Sequence, residues 1–199
     1  MFDFITSWME AGGLLAVGAL MVLENVFPPI PSELIVPLAG FQAAQGSFGL
    51  LPVIVVATAG SVAGSTLWYA LARAWGRARF LSFVDRYGVW LTLTREEAEA
   101  AAAWFERHGR VAVLLGRLVP TVRTLISVPA GLSGMPWGTF LLFTTIGSAL
   151  WTSALALAGY LLEGQYERVE AWLNPVTTLV VVLIVGLYLL RVARGLLRR

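Results

Sequence analysis

Long apolar stretches make up most of this chain, and the short charged segments that break them carry the information. Leu34 to Ala72 and Thr124 to Leu162 are each 39 residues long without an Asp, Glu, Lys or Arg. At about 1.5 Å of rise per helical residue, such a run is too long for one crossing of a hydrocarbon core ~30 Å thick, and tight for two crossings and a loop. A half-membrane limb followed by one full helix fits the length. The segment before each run supplies the turn: Glu24 to Glu33 contains Pro28, Pro29 and Pro31, and Gly116 to Arg123 contains Pro120. Irregular backbone at membrane depth is tolerated only where protein buries it or it lines a cavity, so each segment reads as the tip of a re-entrant hairpin.

The expected elements follow. Gly12 to Leu23 descends, the first tip turns, Leu34 to about Gln45 returns, and Pro52 to about Trp75 crosses. Val111 to Leu115 then enters, Gly116 to Arg123 forms the second tip, Thr124 to Gly134 returns and Pro136 to Leu162 crosses. Between the halves, Thr94-Arg-Glu-Glu97 is a capping box; its helix is expected to run through Ala98 to Arg107, to stop near Gly109, and to lie in the membrane interface on Trp104 and Phe105. Ala171 to Leu190, with Asn174 as N-cap and Pro175 at the first helical position, reads as a last transmembrane helix. The fold class is therefore an all-α polytopic membrane protein: two inverted re-entrant helical hairpins, each followed by a transmembrane helix, plus an interfacial helix and a C-terminal transmembrane helix. It forms one domain over residues 1–199, with a first repeat at 12–75, a cytoplasmic interfacial segment at 76–109, a second repeat at 110–162 and the final helix at 174–196.

The halves also agree in letters. Pro37-Leu-Ala39-Gly40 follows the first tip as Pro129-Ala130-Gly131 follows the second, and Gly64-Ser65-Thr66-Leu67-Trp68 resembles Gly147-Ser148-Ala149-Leu150-Trp151. One crossing separates the repeats, which gives them opposite orientation. The small residues Gly60, Gly64, Gly147 and Gly159 suit close helix packing, and Trp8, Trp75, Trp137 and Trp172 suit interfacial anchors.

Composition strengthens the membrane reading: 13% of residues are charged, about half the share of a soluble domain, and mean hydropathy is +0.77. Met1 to Ala11 carries Asp3 and Glu10 and no basic residue, unlike a signal peptide, and is expected to stay in the mature protein. All 14 basic residues are Arg. Eleven fall in the central stretch from Arg73 to Arg110 or in the C-terminal stretch from Arg191 to Arg199, whereas Arg168 lies in the opposite loop beside Glu163, Glu167 and Glu170. By the positive-inside rule the central stretch and the C-terminus are cytoplasmic.

An ionisable residue in hydrocarbon costs roughly 2.5–3.5 kcal/mol, so Glu24, Glu33, Arg117 and Arg123 imply a job beyond folding. Arg stays charged when buried and offers a planar fork of donors that matches phosphate, and broken-helix N-termini add free N–H groups. Together these describe an anion site, with the glutamates balancing the arginines in its empty state and taking up protons when phosphate arrives. The bland alternative is a pair of static Glu–Arg bridges holding two hairpins together. No cysteine is present, His108 is the sole histidine, and the carboxylates lack metal-site spacing, so no metal, cofactor or catalytic residue is assigned.

The first tip ending in Ser32-Glu33, the element Gly116-Arg-Leu-Val-Pro-Thr-Val-Arg123 followed by Pro129-Ala-Gly131, and the Trp151 helix together resemble the DedA family, also called the SNARE-associated or VTT-domain family. The resemblance spans about Gly12 to Leu162, and the Arg-x-x-Pro-x-x-Arg element is its most specific part. It implies a bacterial inner-membrane lipid transporter, flippase or scramblase, linked in some members to undecaprenyl phosphate and to protons, with Glu33, Arg117 and Arg123 as functional residues. Pro28, Pro31, Pro120, Pro129 and Gly131 are then the structural residues of the tips. Some members carry a further acid about a dozen positions after the first-tip Glu, where this chain has Gln45; Glu24 is the residue left to replace it. The expected partners are membrane lipids, an anionic phosphate headgroup and protons, with no nucleic acid; the oligomeric state stays open. A proton-coupled transporter of a small solute or drug is the alternative, and an enzyme acting on lipid phosphates a third.

Overall fold

A computed structural model describes residues 2–26, 32–91, 94–120 and 122–161, and these are helical throughout apart from their connections. Seven helices follow in order: α1 Phe2–Val26, α2 Ser32–Ala44, α3 Leu50–Trp75, α4 Arg77–Leu91, α5 Arg95–Arg117, α6 Ser127–Leu132 and α7 Trp137–Leu161. The expected C-terminal helix, with Trp172, and the prolines Pro28 and Pro31 lie outside the described residues. Two helices, α3 and α7, are long and apolar enough to cross a membrane. Their bounds match the expected crossings within two residues.

Both helices are turned inside out relative to a soluble bundle. Thr58, Ser61 and Ser65 of α3 and Thr144, Ser148 and Thr152 of α7 are buried, whereas Leu51, Val55, Leu67 and Leu71, and Leu142, Ile146, Leu150 and Leu157, are exposed. Water would penalise that arrangement; hydrocarbon favours it, because only the polar face then needs a partner.

The helix pairings cross between the halves. Helix α1 packs on α3 and α5 on α7, so each lies against the long apolar helix of its own half. The short helices are exchanged: α2 packs on α7, and α6 on α3. Small residues make every one of these contacts possible. A Cβ on Gly64 would lie 2.6 Å from the Cβ of Asn25 on α1, and one on Gly147 2.7 Å from the Cβ of Arg117 on α5. On the exchanged helices, a Cβ on Gly40 would lie 2.2 Å from the Ala156 oxygen, and one on Gly131 2.4 Å from that of Tyr69. Backbones in close approach are the association mode of helices that gain nothing from burying apolar surface. The two letter repeats thus fall on equivalent packing positions.

Two apolar clusters flank the junction. Met9, Val17, Leu20 and Met21 of α1 meet Ile35, Val36 and Ala39 of α2 with Val53 and Ala57 of α3. In the other cluster, Tyr69 stacks on Phe140 at 4.1 Å between ring centroids, beside Phe105, Val113 and Ala130. The Tyr69 hydroxyl donates to the Met135 carbonyl, which also accepts from Arg73 Nη1 at 2.5 Å. These donors tie down the connection after α6.

The connecting region departs from expectation in two ways. Helix α5 does not stop near Gly109 but continues to Arg117, so the capped helix and the second descending limb are one element. The absence of a side chain at Gly109 serves packing: a Cβ there would lie 2.7 Å from Met135 Cε and 3.1 Å from the Phe105 ring. Phe105 accordingly faces the core and is no interfacial anchor, while Trp104 stays exposed. Helix α4 was not anticipated as a separate element. It starts after Gly76, whose φ of 79° only glycine adopts readily, and packs Leu81 and Val84 against Ala98 of α5. The capping box itself forms, with Thr94 Oγ1 accepting from Glu97 N at 3.2 Å and Glu97 Oε2 accepting from Thr94 N at 2.9 Å.

Replacing Gly40 or Gly159 by Ala is expected to cost about 1–3 kcal/mol each, as overpacking between backbones does, because the Cβ at Gly159 would sit 1.9 Å from the Pro37 oxygen. Gly138→Ala, where nothing lies within 4 Å, is expected to leave thermal unfolding in detergent unchanged.

Candidate functional site

The four ionisable residues singled out from the sequence converge where the ends of α1 and α5 meet the starts of α2 and α6. Glu24 and Asn25 close the last turn of α1, Glu33 sits in the first turn of α2, Arg117 ends α5, and Arg123 lies in the turn before α6. That turn is held by the backbone, Arg123 N donating to the Val119 oxygen at 2.9 Å and Ile126 N to the Val122 oxygen at 2.9 Å. Pro120 is exposed within it, Pro129 is half-buried in α6, and Gly131 packs on Tyr69. Gln45 lies in the exposed turn after α2.

Arg123 joins the halves. Its Nη2 donates to Glu24 Oε1 and lies 3.8 Å from Glu33 Oε2, and its guanidinium sits 5.7 Å above the Trp151 ring of α7. Arg123 and Glu24 are both buried, while the Glu33 side chain keeps 30% of its surface exposed. Glu24 is therefore the inner partner and Glu33 the one that faces outward.

Arg117 is different. It is 2% exposed and has no carboxylate within 4.0 Å among the described residues. Its Nη2 donates to Ser127 Oγ at 2.7 Å, Nη1 reaches Asn25 Oδ1 at 3.5 Å, and Nε has no protein acceptor. Both glutamates thus pair directly with Arg123, while Arg117 makes its hydrogen bonds to neutral groups and feels Glu24 only through space. The reason is geometric, since Arg117 emerges from α5 beside Gly147, pointing at Ser127 and Asn25 rather than at the acidic tip.

Asn25, which sequence reasoning passed over, is the hub between them. Its Nδ2 donates to Glu24 Oε2 at 2.7 Å, to the Met21 oxygen at 3.0 Å and to Ser61 Oγ at 3.3 Å, and its Oδ1 accepts from Ser65 at 2.9 Å. Trp68 Nε1 donates to the Asn25 carbonyl at 2.9 Å. From there a hydroxyl seam runs between α3 and α7: Ser61 donates to Ser148 at 3.4 Å, and Thr58 and Thr152 meet at 2.8 Å. The signal was present in the letters, since an amide in an apolar helix needs partners, but a neutral residue beside Glu24 draws less notice than its charged neighbour. Among the described residues no group of His, Cys, Asp or Glu has the arrangement of a metal site.

An all-helical bundle with its polar side chains inward and a buried arginine–glutamate centre defines an integral membrane protein. The VTT domain model matches residues 30–161, and the chain belongs to the VTT-domain, or DedA, family. It is 31% identical to undecaprenyl phosphate transporter A of Staphylococcus aureus, over 93% of this chain and 91% of that one. An alkaline phosphatase-like protein of Lactococcus lactis is 33% identical over 96% of this chain and 90% of its own length. Inner membrane protein YghB of Escherichia coli is 34% identical over 73% and 65%. No solved structure matches the chain.

Asn25→Ala strips partners from Ser65, Ser61 and Glu24 together, and is expected to cost about 1–3 kcal/mol by the penalty for buried unmet groups. A double-mutant cycle with Ser65→Ala, followed by unfolding in micelles, should give a coupling of about 0.6–1.7 kcal/mol, the range found between membrane helices.

Proposed function

We propose that this protein moves an anionic lipid headgroup across the bacterial inner membrane, the lipid being a polyprenyl phosphate such as undecaprenyl phosphate, or a phospholipid, with its tail left in the bilayer. The observation that carries this reading is Arg117: a cation almost wholly buried, oriented by a serine and an asparagine, and without a carboxylate within 4.0 Å among the described residues. Burying an unpaired charge is costly, and an incoming phosphate relieves that cost while using the fork geometry that neutral partners only partly satisfy. The Staphylococcus aureus undecaprenyl phosphate transporter and the Escherichia coli inner membrane protein support the substrate class and the membrane respectively. In this reading α1 with α2, and the end of α5 with α6, are the two inverted re-entrant hairpins. The arginine-rich central stretch faces the cytoplasm, as does the C-terminus.

The phosphate engages Arg117 first, then competes with Glu24 and Glu33 for Arg123. A carboxylate released from its arginine beside an incoming anion takes up a proton, since two unscreened negative charges in apolar surroundings repel strongly. Binding is thereby coupled to proton uptake and strengthens as pH falls. Glu24, buried and bonded to Arg123, carries most of this linkage; the more exposed Glu33 carries less. An enzymatic reading gains nothing from the centre itself, whose arginines and carboxylates are arranged as binding groups with no nucleophile and base in contact.

Reconstitution into liposomes with labelled polyprenyl phosphate tests the proposal. Arg117→Ala and Arg123→Ala should each slow translocation at least about tenfold, the loss of one charge-assisted contact. Arg117→Lys, which keeps the charge and loses the fork, should be slowed less than Arg117→Ala. Rates equal to wild type in both alanine variants would remove the arginines from the transport path.

The coupling has its own measurement. Wild-type translocation should rise from pH 8 to pH 6, and Glu24→Gln should flatten that profile more than Glu33→Gln; an unaltered profile in Glu24→Gln would exclude it as the proton carrier.

A further inference from the structure

Helix α4 has two faces with separate tasks. One buries Leu81 and Val84 against Ala98 of α5, and two ion pairs fasten it there, Arg77 Nη1 to Glu106 Oε1 at 2.8 Å and Asp85 to Arg95. Asp85 is the sole acid of α4, and its carboxylate is taken by an arginine of α5. The other face carries Arg79, Ser82, Phe83, Arg86 and Tyr87, spaced by three and four residues so that they line one side. With Trp75 at the end of α3 they wall an open cleft of about 500 Å³. Neither Arg79 nor Arg86 has a carboxylate within salt-bridge distance among the described residues.

The cleft is amphipathic in a particular order. Trp75 packs against Phe83 at 5.3 Å between ring centroids, and Phe83 against Tyr87 at 4.9 Å, giving a continuous aromatic floor. Arg86 lies 5.6 Å over the Tyr87 ring. Aromatic rings favour the headgroup level of a bilayer, and arginines beside them reach the phosphates. The cleft opens next to the end of α3, an apolar helix of crossing length, which places it where a membrane surface would be.

We propose that this face of α4 is a peripheral lipid site that takes the phosphate headgroup of an anionic phospholipid, Arg79 and Arg86 holding the phosphate and Trp75, Phe83 and Tyr87 receiving the glycerol and upper chains. The charge is complementary, since the two basic groups meet no acid among the described residues, and the aromatic floor fits a lipid better than a free ion. The site is separate from Arg117 and Arg123 and stands or falls without them. It anchors the connecting region against the membrane and fixes the depth of the helices on either side.

Native mass spectrometry of the full-length protein released from micelles containing phosphatidylglycerol and phosphatidylcholine provides the test. Wild type should retain phosphatidylglycerol at least about tenfold over phosphatidylcholine, and the double variant Arg79→Gln with Arg86→Gln should lose up to about thirtyfold in that preference, the worth of two basic residues at an anionic surface. Arg79→Lys with Arg86→Lys should keep most of it, and millimolar inorganic phosphate should not compete. Both arginines are exposed and outside the packed face, so the unfolding temperature should not move. Equal retention by the glutamine variant would overturn the proposal. So would loss of the preference in Arg117→Ala with Arg123→Ala while the glutamine variant keeps it, which would put the lipid in the central site, or displacement by inorganic phosphate.

Discussion

Two guanidinium groups in an apolar bundle impose the demand that organises this molecule. Water cannot solvate them there, and arginine does not escape by losing its proton. Each must find oxygen acceptors from the protein, and for both some of those acceptors come from the far half of the chain. Arg123 takes Glu24 and Glu33, and Arg117 takes Ser127 and Asn25. The ends of α1 and α5, distant in sequence, are brought together by that requirement. Continuum arguments warn that a buried ion pair by itself contributes little net stability. Its value here is in register, because this seating of the two halves answers both arginines together.

The polar seam between α3 and α7 follows from the same constraint. Ser61 and Ser65 on one helix and Ser148 on the other lie along the path from Asn25, and Thr58 and Thr152 continue it away from the centre. Individually such bonds between membrane helices are weak, about 0.6 kcal/mol on average. Collectively they align the inner faces and leave the outer faces free to be leucine, valine and isoleucine. Glycines at 40, 60, 131, 147 and 159 let α1, α2, α5 and α6 seat closely on the other sides of these two helices.

Much of this was legible in the letters, and the failures are physical. The two long apolar helices and α2 were marked by the absence of charge, which hydrocarbon enforces without regard to tertiary detail. The tips were marked by proline beside ionisable residues. Helix α5 was misjudged at Gly109 because glycine serves both to end helices and to admit a neighbour, and only the position of Met135 and Phe105 distinguishes the two. Helix α4 was hidden by its mixed composition, its apolar face being only as wide as Leu81 and Val84 require. Which carboxylate answers which arginine was beyond reach, since all four lie at tips whose relative rotation depends on the packing of α2 on α7 and α6 on α3. Asn25 shows a further limit: a neutral side chain becomes the centre of a network only through what surrounds it.

The exchange of the short helices has a consequence for how the chain comes to exist. Helix α2 rests on α7 and α6 on α3, so the surface around Gly40 and Ala39 has no cover until α7 has been made. The first half is therefore not a folding unit that waits beside the second; it is an open clasp, holding its glycine ridge and buried glutamate in an unfinished state throughout synthesis of the connecting region. Insertion of α7, on which α2, α3 and α5 all pack, is what closes the contacts of both halves at once.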